Sequence, residues 1–214
     1  MIMFLNIFKK VLIFGFFAFL TSGITSIVYE LTKNMIDLQM KRNNRKILAD
    51  VLPLYLYDNN VQNECYFIKN QVLGDTFNHR LWIAKKNNKI KAIAIEITTR
   101  EGYSGFIKIL LGIDIYSNIL GVRVIEHHET PGIGDKISVD VSNWITHFSG
   151  KHIFGLKDSN FKLKKYGGQI DQFTGATITP QAMVNIIKKV VVSMVKISSM
   201  ISQCNICERN HEVK

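Results

Sequence analysis

The chain begins with a long run of uncharged residues and continues with apolar residues at helical spacing. Residues 11–28 carry no charged side chain, and a helix of that length extends about 27 Å, close to the thickness of a bilayer's hydrocarbon core. From Glu30 to Leu52 apolar residues recur at roughly helical spacing, and this pattern stops at Pro53. The sequence therefore predicts a transmembrane anchor over residues 11–30, followed by a linker helix.

A second pattern, with a period of two, dominates the middle of the chain. Four runs show strand character, at residues 81–84, 90–99, 106–115 and 119–125. Short polar turns such as Asn87-Asn88 and Ser117-Asn118 separate them, and connections this short favour antiparallel neighbours. An apolar helical face returns between Gln181 and Met200. The predicted fold class is α+β, a largely antiparallel sheet with flanking helices, preceded by one N-terminal transmembrane helix.

Three weaker patterns lie between these elements. Residues 54–80 are rich in Asn and Asp and predict loops with short strand pieces. The segment Val139 to Phe148 predicts a short helix with Trp144 buried, and Lys157 to Lys165 predicts a further strand.

The segment from Asp171 to Pro180 combines features of a helix start and of an anion site. Thr179 is predicted to be the N-cap of the last helix, with Pro180 at its first position. Gly175 allows the backbone to approach a ligand closely, and the free N–H groups of the helix favour an anion. Taken alone, these residues fit either an ordinary helix cap or a phosphate site.

Two glycine-containing loops invite the same choice between a simple turn and a ligand contact. Gly102-Tyr103-Ser104-Gly105 separates two predicted strands. In Glu129–Asp135, Pro131 fixes φ while Gly132 and Gly134 permit a sharp turn, so backbone can lie close to a flat ligand.

Composition and charge narrow the possible functions. The net charge of +10 would suit nucleic acid or an anionic membrane surface, but the lysines are scattered in pairs, and no nucleic-acid partner is predicted. Three cysteines are too few for a disulfide-built domain, and Cys204-x-x-Cys207 lacks a second ligand pair, so no metal site is predicted. No nucleophile–base pair, paired carboxylates or Walker-type loop is recognisable, so no catalytic residue is predicted.

The glycine and threonine motifs together resemble a known family. Asp171-x-x-Thr174-Gly175-Ala176-Thr177 matches the flavinylation motif D-x-x-[S/T]-G-A-[S/T]. Upstream stand, in the expected order, Gly102–Gly105, Leu111–Asp114, Gly121–Val124 and Glu126–Lys136. The chain resembles the FMN-binding G subunit of Rnf-type (Rsx) ion-translocating electron transport complexes from its anchor to about Val195. It is similar, more distantly, to the C subunit of the sodium-translocating NADH:quinone reductase.

The resemblance implies a cofactor and a set of residues that hold it. FMN would be joined to Thr177 by a phosphoester, which a separate flavin transferase makes from FAD, and the loop at residues 129–134 would lie against the isoalloxazine ring. The cofactor-binding residues so implied are Asp171, Thr174, Gly175, Ala176, Thr177, Glu129, Thr130, Pro131, Gly132 and Gly134.

The resemblance also implies a location and a function. Charged residues flank both ends of the anchor, so orientation rests on the resemblance alone. It implies a single-pass protein of the bacterial inner membrane, with residues 1–10 in the cytoplasm, a linker helix and loops over residues 31–80, a periplasmic FMN-binding domain over residues 81–201 and a tail over residues 202–214. The implied function is electron relay with the other subunits of the complex. A membrane-anchored scaffold without flavin and a flavin reductase with freely bound FMN remain as alternatives.

Overall fold

The computed structural model describes residues 2–200 and 205–206. Two helices, α1 (Ile2–Val51) and α2 (Ile178–Met200), stand before and after most of the sheet. The strands are β1 (Cys65–Ile68), β2 (His79–Lys86), β3 (Lys89–Thr99), β4 (Ile107–Asp114), β5 (Ile119–His127) and the two-residue β6 (Asn205–Ile206). The chain divides after residue 44 into two compact units.

Helix α1 contains the predicted apolar segment. The stretch Ile7–Ile36 has a mean hydropathy of 2.2 and is long and apolar enough to cross a membrane. The long apolar N-terminal helix expected from the sequence is confirmed. Its last two turns belong to the second unit, where Leu48 and Val51 are buried.

The sheet is antiparallel throughout, with strand order β5-β4-β3-β2-β1-β6. Asn87 and Asn88 both have positive φ, 51° and 59°, which suits the two-residue turn between β2 and β3 because asparagine tolerates that region. The prediction of an antiparallel sheet joined by short hairpins is confirmed.

The alternation along β3 separates two buried faces of the sheet. Ile93, Ile95 and Ile97 pack in one hydrophobic cluster with α2, whereas Ala92 and Ala94 pack in the other with the C-terminal end of α1. The isoleucines of β3 face α2, and the small alanines on the opposite face leave room for the end of α1. Both faces of the strand are therefore covered, and the alternation distinguishes large from small side chains, not buried from exposed ones.

Two glycines let the end of α1 lie directly on the sheet. A Cβ at Gly112 would stand 2.4 Å from the Val51 carbonyl oxygen, and one at Gly121 would stand 2.9 Å from the Val51 Cα. Real Cβ atoms do not approach backbone this closely, so a side chain at either position would push the helix end away.

Replacing Gly112 with valine is expected to destabilise the second unit by about 1–3 kcal/mol, because overpacking displaces the buried Val51. Thermal unfolding of the full chain in detergent measures this loss. Ile115→Val, at a side chain that is 53% exposed, is the control and should leave the midpoint unchanged. Equal midpoints for wild type and Gly112→Val would contradict the close packing of α1 on the sheet.

Some local predictions were wrong. Residues 157–163 form a turn, bends and one isolated bridge at Leu163 instead of a strand, because the Asp158 side chain accepts hydrogen bonds from the Phe154 and Asn160 amides. The helix expected over residues 139–148 is reduced to a 3₁₀ helix at Asn143–Phe148. Trp144 is buried in it, as predicted.

Cys65, the first residue of β1, is disulfide-bonded. Cys204 and Cys207, whose role the sequence left open, lie outside the described residues.

Candidate functional site

The threonine motif folds as a tight turn directly before α2. The Ala176 amide donates to the Phe173 carbonyl at 3.2 Å, and Gly175, with a φ of 83°, occupies the third position of the turn. A positive φ near 80° at that position is typical of a type II turn and favours glycine. The turn places Thr174 on the outside and carries the chain to Thr177 at the start of the helix.

An aromatic cluster in the core packs against this turn. Phe173 is buried and its ring lies 4.9 Å from that of Trp144, centroid to centroid. The Trp144 indole Nε1 donates to the Asp171 carbonyl oxygen at 2.7 Å. The Phe173 ring and the Asp171 backbone are thus fixed to the core. The Asp171 carboxylate lies on the surface and pairs with Lys164 at 2.6 Å.

Thr177, and not Thr179, precedes the helix. Helix α2 begins at Ile178, and the Gln181 amide donates to the Thr177 carbonyl at 3.1 Å. The prediction that Thr179 is the N-cap was wrong by two residues, a common error at helix ends. The half-buried Thr177 therefore lies at the end of α2 where unpaired N–H groups and the helix dipole favour an anion.

Thr179 lies inside the helix and has a different partner. Its hydroxyl, in a residue that is 1% exposed, donates to Glu129 Oε2 at 2.7 Å. Glu129 is itself only 5% exposed, and its other oxygen accepts from the Ser104 amide at 3.2 Å. One buried carboxylate therefore joins three segments that are distant in sequence.

Two glycines make room for that carboxylate. A Cβ at Gly102 would stand 2.7 Å from Glu129 Oε1, and one at Gly134 would stand 2.6 Å from Glu129 Oε2. The Thr130 carbonyl accepts from the amides of Ile133 and Gly134, which closes the sharp loop expected from the sequence.

The three segments enclose a cavity of about 350 Å³. This volume lies within the range of about 300–1,000 Å³ that is usual for small-molecule and cofactor sites. The cavity is lined by Tyr103, Glu129, Thr130, Ile133, Gly134, Gly175, Ala176, Thr177, Ile178 and Thr179.

The structure brings together six of the ten residues predicted from the sequence. They are Glu129, Thr130, Gly134, Gly175, Ala176 and Thr177. The other four, Pro131, Gly132, Asp171 and Thr174, are all exposed and do not line the cavity.

Four lining residues are absent from the set of cofactor-binding residues predicted from the sequence. Thr179 was assigned to capping alone. The other three are apolar or aromatic and largely exposed at the cavity: Tyr103 (70%), Ile133 (48%) and Ile178 (54%). The sequence does mark these three residues. Each is a large apolar side chain inside a glycine-containing turn or next to Thr177, at a position where a solvated loop usually has a polar residue.

A larger depression, of about 520 Å³, lies next to β2, β3 and β4 and is lined by Phe77, His79, Arg100, Phe106 and Lys108 among others. We place the functional site in the smaller cavity because it contains the motif threonine. Within the described part of the chain, no group of three His, Cys, Asp or Glu side chains is arranged to hold a metal ion.

Known proteins share both the motif-bearing region and the N-terminal helix. Residues 102–192 match the FMN-binding domain family, and residues 1–51 match the RnfG N-terminal region. The chain is 49% identical over 210 residues to the G subunit of the ion-translocating oxidoreductase complex of Buchnera aphidicola subsp. Baizongia pistaciae, an alignment that covers 97% of this chain and 96% of that protein. The corresponding G subunit of Photorhabdus laumondii is 48% identical over 191 residues, covering 89% and 91%, and that of Salmonella typhimurium is 47% identical over 173 residues, covering 81% and 84%.

Proposed function

We propose that this chain, which belongs to the family of G subunits of ion-translocating oxidoreductase complexes, relays electrons in such a complex through one FMN attached covalently to Thr177. Membership confirms the family resemblance drawn from the motifs. The observation that supports the covalent site is the cavity itself, in which the Thr177 side chain lies beside exposed apolar groups at the start of α2.

The residues present fit a flavin with its phosphate. The N-terminal end of α2 offers amide donors and a favourable dipole to the negative charge of a phosphate ester. Tyr103, Ile133 and Ile178 offer apolar surface of the kind that flat ligands cover. Gly175 adds no side chain, and the space where its Cβ would lie is open.

Each group of residues then has a separate task. The Thr177 oxygen holds the phosphorus, and the first turn of α2 stabilises the negative charge of the phosphoester. The three apolar side chains offer surface to the flavin, and the Glu129 carboxylate holds together the segments that line the cavity. A bound flavin supplies one- and two-electron transfer, which the protein tunes through nearby charge and hydrogen bonds.

The proposal is tested on the full chain produced with and without a flavin transferase. After denaturation, in-gel fluorescence and intact mass should show one FMN, less one water, only in the sample made with the transferase. Flavin that binds the folded chain but is lost on denaturation would favour freely bound FMN. A chain without flavin in both samples would favour a scaffold. Bleaching of the flavin absorbance by a low-potential reductant in the assembled complex tests the relay.

Asp171 belongs to the flavinylation motif but lies outside the cavity. Its carboxylate is 66% exposed and outside the cavity, so we assign it to recognition by the transferase and not to flavin contact. Asp171→Asn is expected to slow flavin attachment at least tenfold while changing stability by less than about 1 kcal/mol, since an exposed ion pair contributes little. Initial rates of attachment measure this effect. Lys164→Gln, which removes the partner in the same ion pair, is the control, and an equal loss in both variants would contradict the assignment.

The disulfide of Cys65 supports a periplasmic location for the flavin domain, with residues 1–10 in the cytoplasm and the anchor in the inner membrane. Structural disulfides persist in the periplasm and are rare in the bacterial cytoplasm. Thiol alkylation of acid-quenched cells tests this orientation. With three cysteines in the chain, we expect one labelled thiol before reduction and three after it.

Cys65→Ser is the matched variant for that experiment. It should free one further thiol, giving two labelled thiols before reduction. Three labelled thiols in the unreduced wild type would contradict the periplasmic orientation.

A further inference from the structure

The surface loop at residues 151–166 exposes large apolar side chains among lysines. Phe154 is 84% exposed, Leu156 63% and Tyr166 54%. The same sixteen residues contain five lysines and one acidic residue, Asp158. Large apolar groups at such exposure, set in a positively charged segment, indicate a surface that meets a partner.

Asp158 orders the loop through hydrogen bonds to its carboxylate and to its carbonyl. Its carboxylate oxygens accept from the Phe154 amide at 3.1 Å and from the Asn160 amide at 2.9 Å, and the first of these bonds is the main reason that the pKa of Asp158 is lowered. Its carbonyl accepts from the buried Lys188 ammonium at 2.6 Å. These bonds fix the backbone on both sides of Leu156, so the apolar side chains are presented on an ordered turn, which reduces the entropy lost on binding.

Some of these lysines and apolar groups lie together on the surface. Leu156, Lys162 and Tyr166 line the same depression, of about 420 Å³. The Lys165 ammonium lies 5.8 Å from the centre of the Tyr166 ring. We define the lysine–aromatic face as Leu156, Lys162, Lys165 and Tyr166 together with Phe154 and Lys157, which are exposed in the same segment.

We propose that the lysine–aromatic face docks on the anionic headgroup layer of the bilayer. An anionic membrane surface offers negative charge to the lysines and an apolar layer just beneath it to Phe154 and Leu156, which is how interfacial segments bind. The chain is a subunit of a membrane complex and carries an apolar helix able to span a bilayer, so such a surface is always available at high local concentration.

Hydrogen exchange of the full chain in nanodiscs tests the proposal. Amides of residues 152–158 are expected to exchange at least about fivefold more slowly in discs with anionic lipid than in purely zwitterionic discs, because each lysine near the surface multiplies docking about fivefold. Half-molar salt should reduce this protection, since it shortens the Debye length to about 4 Å. Equal exchange in the two lipids would overturn the proposal.

Two variants separate docking from a general change in the domain. Phe154→Ser with Leu156→Ser should abolish the lipid-dependent protection, and so should Lys157→Gln with Lys162→Gln and Lys165→Gln. The control is Ile115→Ser with Tyr116→Ser, at two side chains of similar exposure in the β4–β5 turn, and it should keep the protection.

Two further outcomes complete the test. Protection that appears only when the other subunits are added would overturn the proposal in favour of a protein partner. The proposal does not rest on the flavin site, so Thr177→Ala should show the same lipid dependence as wild type, and loss of protection in that variant would overturn it.

Discussion

A Thr177→Ala chain produced with an active flavin transferase is expected to carry no flavin after denaturation, whereas wild type carries one FMN. The loss is complete because neither neighbouring threonine can substitute. Thr179 is buried and donates its hydroxyl to Glu129, and Thr174 is exposed on the turn outside the cavity. In-gel fluorescence and intact mass of the denatured chain measure the effect.

Two variants serve as controls for that result. Thr177→Ser keeps a hydroxyl at the same position and should retain the adduct, while Thr174→Ala removes a hydroxyl from the same motif and should also retain it. An adduct that persists in Thr177→Ala and disappears in Thr174→Ala would move the attachment site to Thr174 and contradict the geometric assignment.

Replacing Glu129 with alanine is expected to lower the stability of the domain and to disturb the proposed flavin site. The buried Thr179 hydroxyl would lose its acceptor, at a cost of about 1–3 kcal/mol, and the Ser104 amide would lose a further hydrogen bond. Each kilocalorie corresponds to about 2–4 °C in the melting temperature of a chain of this size. Thermal unfolding is therefore expected to begin several degrees lower.

Glu129→Gln separates the charge from the hydrogen bonds. The amide has nearly the same shape and should cost less stability, but it removes a negative charge that lines the cavity. Because a nearby negative charge opposes reduction, the flavin potential in this variant should rise, by an amount of the order of tens of millivolts at an effective dielectric constant of about 20. Glu126→Gln, which removes an exposed carboxylate outside this cavity, is the control. An unchanged potential in Glu129→Gln would place this charge away from the ring.

The fold was largely predictable because its local signals agree with its tertiary structure. Asn87-Asn88 favours the turn that β2 and β3 require, and the isoleucine and alanine positions of β3 alternate with the strand period. The loop from Phe154 to Phe161 was not predictable in this way. A strand was expected from Lys157 onward, but the Asp158 side chain bonds to nearby amides and gives the backbone a different conformation.

The site was predictable where backbone shape carries the information. Gly175 and Gly134 were identified because a turn and a close approach require glycine, and both line the cavity. The bond between Thr179 and Glu129 was not predictable, because the two residues are 50 positions apart and only tertiary packing brings them together. Tyr103 and Ile178 were missed for a related reason, since each became a lining residue only when distant segments met.

The Glu129 carboxylate also orders the steps by which the protein matures. The segments that it joins come from the turn before β4, the loop after β5 and the start of α2, so the cavity does not exist until the sheet and α2 have packed. Bringing together segments so far apart in sequence costs loop-closure entropy, which only the packed domain offsets. Any reaction that needs the complete cavity therefore follows folding, and a newly made chain passes through a stage in which the domain is finished and the site is ready but still unmodified.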